Sequence, residues 1–345
     1  MIKTKLSRRR WLWMSSSLLA AHAGAASWAT AGGLSIPLAH RLLPLGPGRQ
    51  PPVVTALAID PRGEVLAVAG DDASIRILDA ADLRELDRLV AHRDLVRTLT
   101  FRSDSKILAS GGNDGSLILW DRSARWAITR RVDDLPTLFC IRFSPDGKQL
   151  AAAGFDSELM LFGSSTQPQL HCECSDLRGV AYDATGLRLA VGGRSGMLFL
   201  YDPRGGQQLG EFPIHTSRVR DLVFLPGTEL AATVAEDGAA TIFDLARYRV
   251  VKRIDLLPCK LFTVAAIDRT QIAVAGSDNR IRIVDCETGE ITDHFDGHQG
   301  SISSLVYCSG WLYSGGFDAT VRKWDIGGGR GARVAEKEPV EDGKR

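Results

Sequence analysis

The stretch that decides the fold runs from residue 297 to residue 325 and reads GHQGSISSLVYCSGWLYSGGFDATVRKWD. It contains three short runs with β-strand character, at residues 301–307, 311–314 and 320–324. The residues between these runs are mainly Gly, Ser and Asp, which are typical of tight turns. The stretch is therefore predicted to form a small antiparallel meander. A single meander cannot bury its own apolar faces, so it has to pack against other copies.

Similar stretches recur about every 40 residues through the chain. Each holds a polar turn followed by a short apolar run, and the seven runs end at residues 79, 121, 163, 202, 244, 285 and 325. Units of this length with four short strands are typical of propeller blades. The sequence therefore predicts an all-β fold, a seven-bladed β-propeller of four-stranded antiparallel blades over residues 53–326.

The units resemble WD repeats, and the resemblance covers roughly residues 53–325. In that family a His before the first strand, a Ser or Thr in the second, an Asp in the next turn and a Trp in the third form a buried hydrogen-bonded set. The resemblance implies complete sets at His92, Ser110, Asp114 and Trp120 and at His298, Ser314, Asp318 and Trp324. The fifth unit matches at His215, Thr233 and Asp237, with Phe243 in the Trp position.

The same residue types, Ser, His and Asp, also form nucleophilic triads. Here the trio recurs in several units at fixed spacing, whereas a catalytic triad occurs once. We therefore expect a structural role for these residues and predict no catalytic residue.

Residues 1–31 differ in character from the rest of the chain. A basic start with Arg8 and Arg9 is followed by a modest apolar segment and by small-residue cleavage sites, which is the layout of a secretory signal. The pair Arg8 and Arg9 before Trp11 also resembles a twin-arginine export signal. A general secretory signal and an uncleaved anchor remain open. The interpretation places the mature protein in the periplasm or otherwise in the bacterial envelope, without stable membrane insertion after signal removal.

The two flanks of the repeats have different predicted roles. Residues 32–52 are predicted to supply the outer strand of the last blade, with residues 38–43 as the candidate, because a closed ring has no exposed sheet edge. The alternative is a strand at residues 332–336. Residues 327–345 are rich in Gly and charge and are predicted to form a flexible tail.

Charge and cysteine usage limit the ligands that we expect. The chain has 42 basic and 41 acidic residues, and removal of the basic leader makes it mildly acidic, which argues against a nucleic-acid partner. The six cysteines match no disulfide framework. In the run from His171 to Cys174, strand alternation puts the two thiols on the face opposite His171 and Glu173, so no metal site is predicted. No motif for a cofactor is present, and none is predicted.

The resemblance also implies which side chains surround the top of the central channel. One set follows the first apolar residue of each inner strand: Thr55, Arg97, Phe139, Arg178, Arg220, Thr263 and Ser303. A second set precedes the turn Asp of each unit and includes Phe155 and Arg194. Arginine and aromatic residues are enriched at binding hot spots. The candidate partner-binding residues are Arg97, Phe139, Phe155, Arg178, Arg194 and Arg220.

Together these features predict an exported, non-catalytic scaffold that binds a protein or peptide partner through its top face. An acidic partner suits the arginines, and the chain is expected to act as a monomer or within a hetero-complex. The alternative is a propeller enzyme or a cofactor-linked envelope protein that uses the central channel. That alternative requires converging titratable groups or metal ligands at the channel mouth.

Overall fold

The computed structural model describes residues 40–41, 51–156, 158–163 and 170–327, all within one compact unit, Ser35–Arg345. The predicted export signal, including Arg8 and Arg9, lies outside the described residues. So do residues 328–345 of the predicted tail.

The described residues form seven four-stranded antiparallel sheets, which we number as blades 1 to 7 in chain order. Blade 1 contains β2 (Val54–Ile59), β3 (Val65–Gly70), β4 (Ser74–Asp79) and β5 (Glu85–Val90). Blade 2 contains β6 (Val96–Phe101), β7 (Ile107–Gly112), β8 (Leu117–Asp121) and β9 (Ala127–Val132). Blade 3 contains β10 (Leu138–Phe143), β11 (Leu150–Gly154), β12 (Glu158–Phe162) and β13 (Leu170–His171). Blade 4 contains β14 (Gly179–Tyr182), β15 (Leu189–Gly192), β16 (Met197–Tyr201) and β17 (Gln208–Pro213).

The remaining strands complete the set. Blade 5 contains β18 (Val219–Phe224), β19 (Leu230–Ala235), β20 (Ala239–Asp244) and β21 (Arg249–Asp255). Blade 6 contains β22 (Leu261–Ala266), β23 (Gln271–Gly276), β24 (Ile281–Asp285) and β25 (Ile291–Phe295). Blade 7 contains β26 (Ile302–Cys308), β27 (Trp311–Gly316), β28 (Thr320–Asp325) and β1 (His40–Arg41). In the described part of the chain the only helical element is a single 3-10 turn at Arg122–Ala124.

The first strands of successive blades lie side by side, and β26 of blade 7 contacts β2 of blade 1, so the blades form a closed ring. Hydrogen bonds tie these two blades together. The Tyr313 hydroxyl donates to the Ala80 carbonyl at 2.9 Å, and the Leu57 amide donates to the Ser304 hydroxyl at 3.0 Å. The predicted seven-bladed propeller is therefore confirmed.

The outer strand of blade 7 comes from the start of the chain. Strand β1 pairs antiparallel with β28, His40 opposite Val321 and Arg41 opposite Thr320. One blade thus combines strands from both ends of the ring. The pairing lies within residues 38–43, where the sequence analysis expects the closing strand; the exact domain boundaries remain predictions.

The second strand of most blades is almost completely buried, and its small residues allow close approach between neighbouring blades. All six residues of β3 and all six of β7 are buried. A Cβ on Gly315 of β27 would lie only 2.4 Å from Val54 Cγ1 of blade 1. Glycine is needed there because the two blades pack too closely for a side chain. The outer strands are mostly exposed, as in β5 and β21.

The inner strands of six blades carry a register irregularity near their start, with one extra residue opposite the second strand. The extra residues are Thr55, Arg97, Phe139, Arg220, Phe262 and Ser303. We call the side of the ring at these strand starts the top face. It also carries the turns between the second and third strands.

The irregularity corrects one sequence-based expectation. In blade 6 the extra residue is Phe262, whereas Thr263 is buried and donates its hydroxyl to the Asp221 carboxylate at 3.2 Å. The prediction of Thr263 at the channel rim is wrong. A shift of one residue along a strand moves a side chain to the opposite face.

Candidate functional site

The polar set of blade 7 is a continuous chain of hydrogen bonds. Trp324 Nε1 donates to Ser314 Oγ at 2.8 Å, and Ser314 Oγ lies 2.7 Å from His298 Nε2. His298 Nδ1 in turn lies 3.0 Å from Asp318 Oδ2, which also accepts from the Gln299 amide at 2.9 Å. The set links the loop before the inner strand to the second and third strands and to the turn between them.

The chemistry of the four side chains assigns the protons. An indole nitrogen can only donate, so Ser314 Oγ accepts from Trp324 and has its own proton to give to His298 Nε2. With Nε2 as the acceptor, His298 Nδ1 carries the proton and donates a hydrogen bond to Asp318. Burial alone would raise the pKa of Asp318, but hydrogen bonds from His298 and from the Gln299 amide hold it well below its usual range.

Blade 2 repeats this arrangement closely. Trp120 Nε1 donates to Ser110 Oγ at 2.9 Å, and Ser110 Oγ lies 2.8 Å from His92 Nε2. Asp114 lies 3.0 Å from His92 Nδ1 and also accepts from a backbone amide of the same loop. Burial lowers the pKa of His92 in spite of the neighbouring carboxylate, which favours the neutral ring that this network requires.

The Ser–His–Asp hydrogen bonds of these sets follow the order found in a nucleophilic triad, but a substrate has no access to the serine hydroxyls. The side chains of Ser110 and Ser314 are completely buried, and each hydroxyl already accepts from an indole. A substrate carbonyl cannot reach either oxygen without dismantling the blade. The arrangement therefore satisfies buried polar groups and fixes the turns of the blade.

Two blades modify the set. In blade 5 His215 Nε2 lies 2.9 Å from Thr233 Oγ1, and the buried Phe243 replaces the indole.

In blade 4 the sulfur of Cys174 accepts a hydrogen bond from the Ser195 amide at 3.2 Å. Hydrogen bonds from Cys172 and Ser195 lower the pKa of the Cys174 thiol to about 6. This role of the Cys174 thiol is not predicted from the sequence, in which its position 21 residues before Ser195 is the one signal that indicates it.

Four of the predicted partner-binding residues come together at the top of the channel. The Arg97 guanidinium carbon lies 5.0 Å from the centre of the Phe139 ring, and that of Arg178 lies 3.5 Å from the same centre. Arg220 lies over Phe262, at 4.9 Å. Burial, followed by repulsion from Arg178 and Arg220, lowers the pKa of Arg97 to about 10, so these guanidinium groups are close enough to interact electrostatically.

The other two predicted residues lie in turns on the same face. Phe155 follows β11 and is 61 % exposed, and Arg194 follows β15 and is also exposed. Neither has a described contact with the arginines around Phe139. The structure thus places Arg97, Phe139, Arg178 and Arg220 in one cluster, with Phe155 and Arg194 outside it.

Sequence reasoning misses several charged residues of this region. Arg218 donates to Asp176 at 2.8 Å and to Glu236 at 2.9 Å. Lys260 donates to Glu236 at 3.2 Å. Asp176 and Arg218 lie in the loops before β14 and β18, each two residues before a predicted rim residue, and this closeness in sequence is the signal that could have indicated them.

Other kinds of site are not evident in the described parts of the chain. No three His, Cys, Asp or Glu side chains there cluster in a way that could hold a metal ion. Cys172 and Cys174 are buried whereas His171 and Glu173 are exposed, which agrees with the expected alternation. All six cysteines are free. Within the same residues, no helix has the length and apolar character to cross a membrane.

The chain is similar to curated proteins over part of its length. It is 28 % identical over 148 residues to periodic tryptophan protein 2 homolog of Caenorhabditis elegans, covering 42 % of this chain and 16 % of that protein. It is 26 % identical over 161 residues to human WD repeat-containing protein 36, covering 45 % and 18 %. It is 22 % identical over 157 residues to U3 small nucleolar RNA-associated protein 21 homolog of Schizosaccharomyces pombe, covering 44 % and 17 %. The matches thus span less than a fifth of each of these relatives.

These relatives correct the predicted location. They are proteins of a nematode, of human and of a yeast, and the name of the third associates it with U3 small nucleolar RNA. Eukaryotes of this kind have no bacterial envelope. The prediction of a periplasmic location, which rests on residues 1–31 alone, is therefore wrong on this finding.

A protein-family model described as "WD domain, G-beta repeat" matches five segments of the chain. They are residues 45–79, 83–121, 134–162, 206–244 and 289–325. Together they cover more than half of the 345 residues, and each ends at or next to the last residue of a blade's third strand. The chain belongs to the WD-repeat family.

Proposed function

We propose that this protein is a non-catalytic scaffold that binds a protein partner with the top face of its propeller. The observation that carries the proposal is the cluster of Arg97, Arg178 and Arg220 around the partly buried rings of Phe139 and Phe262. Arginine and aromatic side chains are the types most enriched at energetic centres of protein interfaces. The exposed ring of Phe155 on the same face extends this surface.

The alternative of an enzyme has less support. The Ser–His–Asp groups, which have the chemistry of a triad, are buried in the blades, and the titratable side chains among the described rim residues are arginines. Guanidinium groups remain protonated near neutral pH and act poorly as general bases. We therefore favour binding over catalysis in the channel.

A protein partner is also favoured over nucleic acid. The chain carries 42 basic and 41 acidic residues, whereas nucleic-acid binding usually needs a dominant basic face. The connection of one relative with a small nucleolar RNA, as its printed name gives it, concerns a much longer protein. On this proposal the chain acts as a monomer or as one member of a hetero-complex.

The test compares one exposed residue on each face of the ring. Phe155 is on the top face, and Leu187, 48 % exposed, lies in the turn between β14 and β15 on the opposite face. The full chain and the variants Phe155→Asp and Leu187→Asp are used as baits in cell extract, and captured proteins are quantified by mass spectrometry. We expect loss of specific partners with Phe155→Asp only. Equal capture by all three baits, or loss with Leu187→Asp alone, would contradict the proposal.

A further inference from the structure

Around Phe139 and Phe262 the cationic side chains outnumber the carboxylates with which they pair. Asp176 accepts from Arg178 at 2.6 Å and from Arg218 at 2.8 Å. Glu236 is shared by Arg218 at 2.9 Å, Arg220 at 3.3 Å and Lys260 at 3.2 Å. The only hydrogen bond described for the Arg97 side chain goes from Nε to the neutral Asn113 amide oxygen. Four cations thus share two carboxylates in this network, and Arg97 pairs with neither of them.

Phe139 holds two of these cations close together. The distances of 5.0 Å and 3.5 Å from its ring centre to the guanidinium carbons of Arg97 and Arg178 place the two carbons no more than 8.5 Å apart. The attraction of a guanidinium to the π-electrons of a ring does not occupy an oxygen acceptor, so it leaves N–H groups that can still bind one. Like charges at this separation repel, and a bound anion would offset that repulsion. Burial and the charge of Arg178 also lower the pKa of Arg220, so the third guanidinium belongs to the same electrostatic cluster.

Several donors in the cluster remain free. Among the described residues, Arg97 and Arg178 donate only through Nε, and Arg220 only through one terminal nitrogen. The terminal nitrogens of Arg97 and Arg178 therefore have no protein acceptor there. Arg97 and Arg178 are both partly exposed, so solvent reaches this part of the cluster. A planar guanidinium fork matches the two oxygens of a carboxylate in size and geometry.

We propose that Arg97, Arg178 and Arg220 form an oxyanion site that takes the carboxylates of an acidic segment of the partner protein. This inference rests on the proposed function, because it gives the chemistry by which the top face recognises its partner. Phe139 and Phe262 contact the guanidinium groups. Arg218 also pairs with Asp176 and with Glu236, and Lys260 pairs with Glu236, so neither carboxylate serves Arg178 or Arg220 alone. An acidic segment, rather than a single small anion, suits three cations at separate positions around one rim.

The direct test uses synthetic peptides and the full chain. A fluorescent hexaglutamate peptide with blocked ends is titrated at low salt, with a hexaglutamine peptide as the uncharged control. We expect binding of hexaglutamate only, weakened at least tenfold in Arg97→Gln and in Arg178→Gln. Arg84→Gln is the matched control, since Arg84 is 67 % exposed and lies away from this face in the turn between β4 and β5. No binding of hexaglutamate, or equal weakening by Arg84→Gln, would overturn the proposal.

A second measurement guards against loss of folding. Because Arg178 and Arg220 repel Arg97, and no carboxylate of the described residues pairs with it, Arg97→Gln is expected to keep or raise the melting temperature. A lower melting temperature together with unchanged peptide affinity would contradict the electrostatic argument. A phosphoserine peptide with otherwise neutral residues forms a further arm. If the phosphoserine peptide binds and hexaglutamate does not, the site prefers phosphate, and the proposal that it binds carboxylates is wrong.

The outcomes separate this inference from the proposed function. If Phe155→Asp removes partner capture while hexaglutamate fails to bind, the top face still carries the partner and the oxyanion site is refuted. If hexaglutamate binds as expected while Phe155→Asp captures as the wild type does, the oxyanion site stands and the wider docking surface is refuted.

Discussion

Replacement of Ser314 by Ala is the most informative perturbation of the buried polar sets. Its hydroxyl accepts from Trp324 at 2.8 Å and lies 2.7 Å from His298 Nε2, and its side chain is completely buried. Removing it leaves an indole N–H and an imidazole nitrogen without partners in the core. Each buried group left unsatisfied costs about 1–3 kcal/mol. We therefore expect the free energy of unfolding to fall by roughly 2–6 kcal/mol, the sum over two such groups.

The assay is urea denaturation of the full chain followed by Trp fluorescence and circular dichroism. Ser103→Ala serves as the control because Ser103 is exposed, and a surface change of this kind alters stability by less than about 0.5 kcal/mol. The double variant Ser314→Ala with Trp324→Phe removes one of the unpaired donors. It should therefore be more stable than the sum of the two single changes predicts. A loss below about 0.5 kcal/mol for Ser314→Ala would refute the hydrogen-bond account, since that is the range of ordinary surface substitutions.

Two further predictions concern pH and packing. The pKa of Asp318 is lower in the folded than in the unfolded state, so Asp318 stabilises the fold above the unfolded value of about 3.9, and this stabilisation is lost as the pH falls towards the folded value. The pKa of His92 is also lowered by folding, so stability decreases further as the pH falls below the unfolded value of about 6.5. The urea midpoint should therefore decrease from pH 7 to pH 3, and a flat profile would contradict this reasoning. Gly276→Ala should prevent folding or strongly lower the melting temperature, because the new Cβ would lie 1.8 Å from the Lys260 carbonyl oxygen. Gly227→Ala is the control: its Cβ would have no atom within 4 Å, and its positive φ should lower the free energy of unfolding by only about 1–2 kcal/mol. Similar melting temperatures for the two variants would show that the close packing is not as described.

The blade count could be predicted from the sequence because each blade repeats the same local signals. The Asp of the turn, the small residues of the second strand and the apolar third strand recur at a nearly constant period, and each has a local physical cause. The polar sets could be placed for the same reason. Their four residue types are set by hydrogen bonds within one blade and its adjoining loop.

The channel rim could be predicted only in part. In blade 6, Thr263 and Phe262 are adjacent, and the residue that faces the rim depends on a backbone irregularity that leaves no mark in the hydrophobic pattern. The carboxylates that pair with the arginines also could not be assigned, since Asp176 and Glu236 belong to different blades. Contacts between blades depend on the radial arrangement, which a one-dimensional pattern does not contain.

The central claim is that a partner docks on the top face, and site-specific photocrosslinking tests it most directly. The photoreactive residue p-benzoylphenylalanine replaces Phe155 on the top face or Leu187 on the opposite face, and the full chain is irradiated in cells. The account predicts discrete protein adducts from position 155 and none above background from position 187. Adducts from position 187 alone, or the same adducts from both positions, would contradict it.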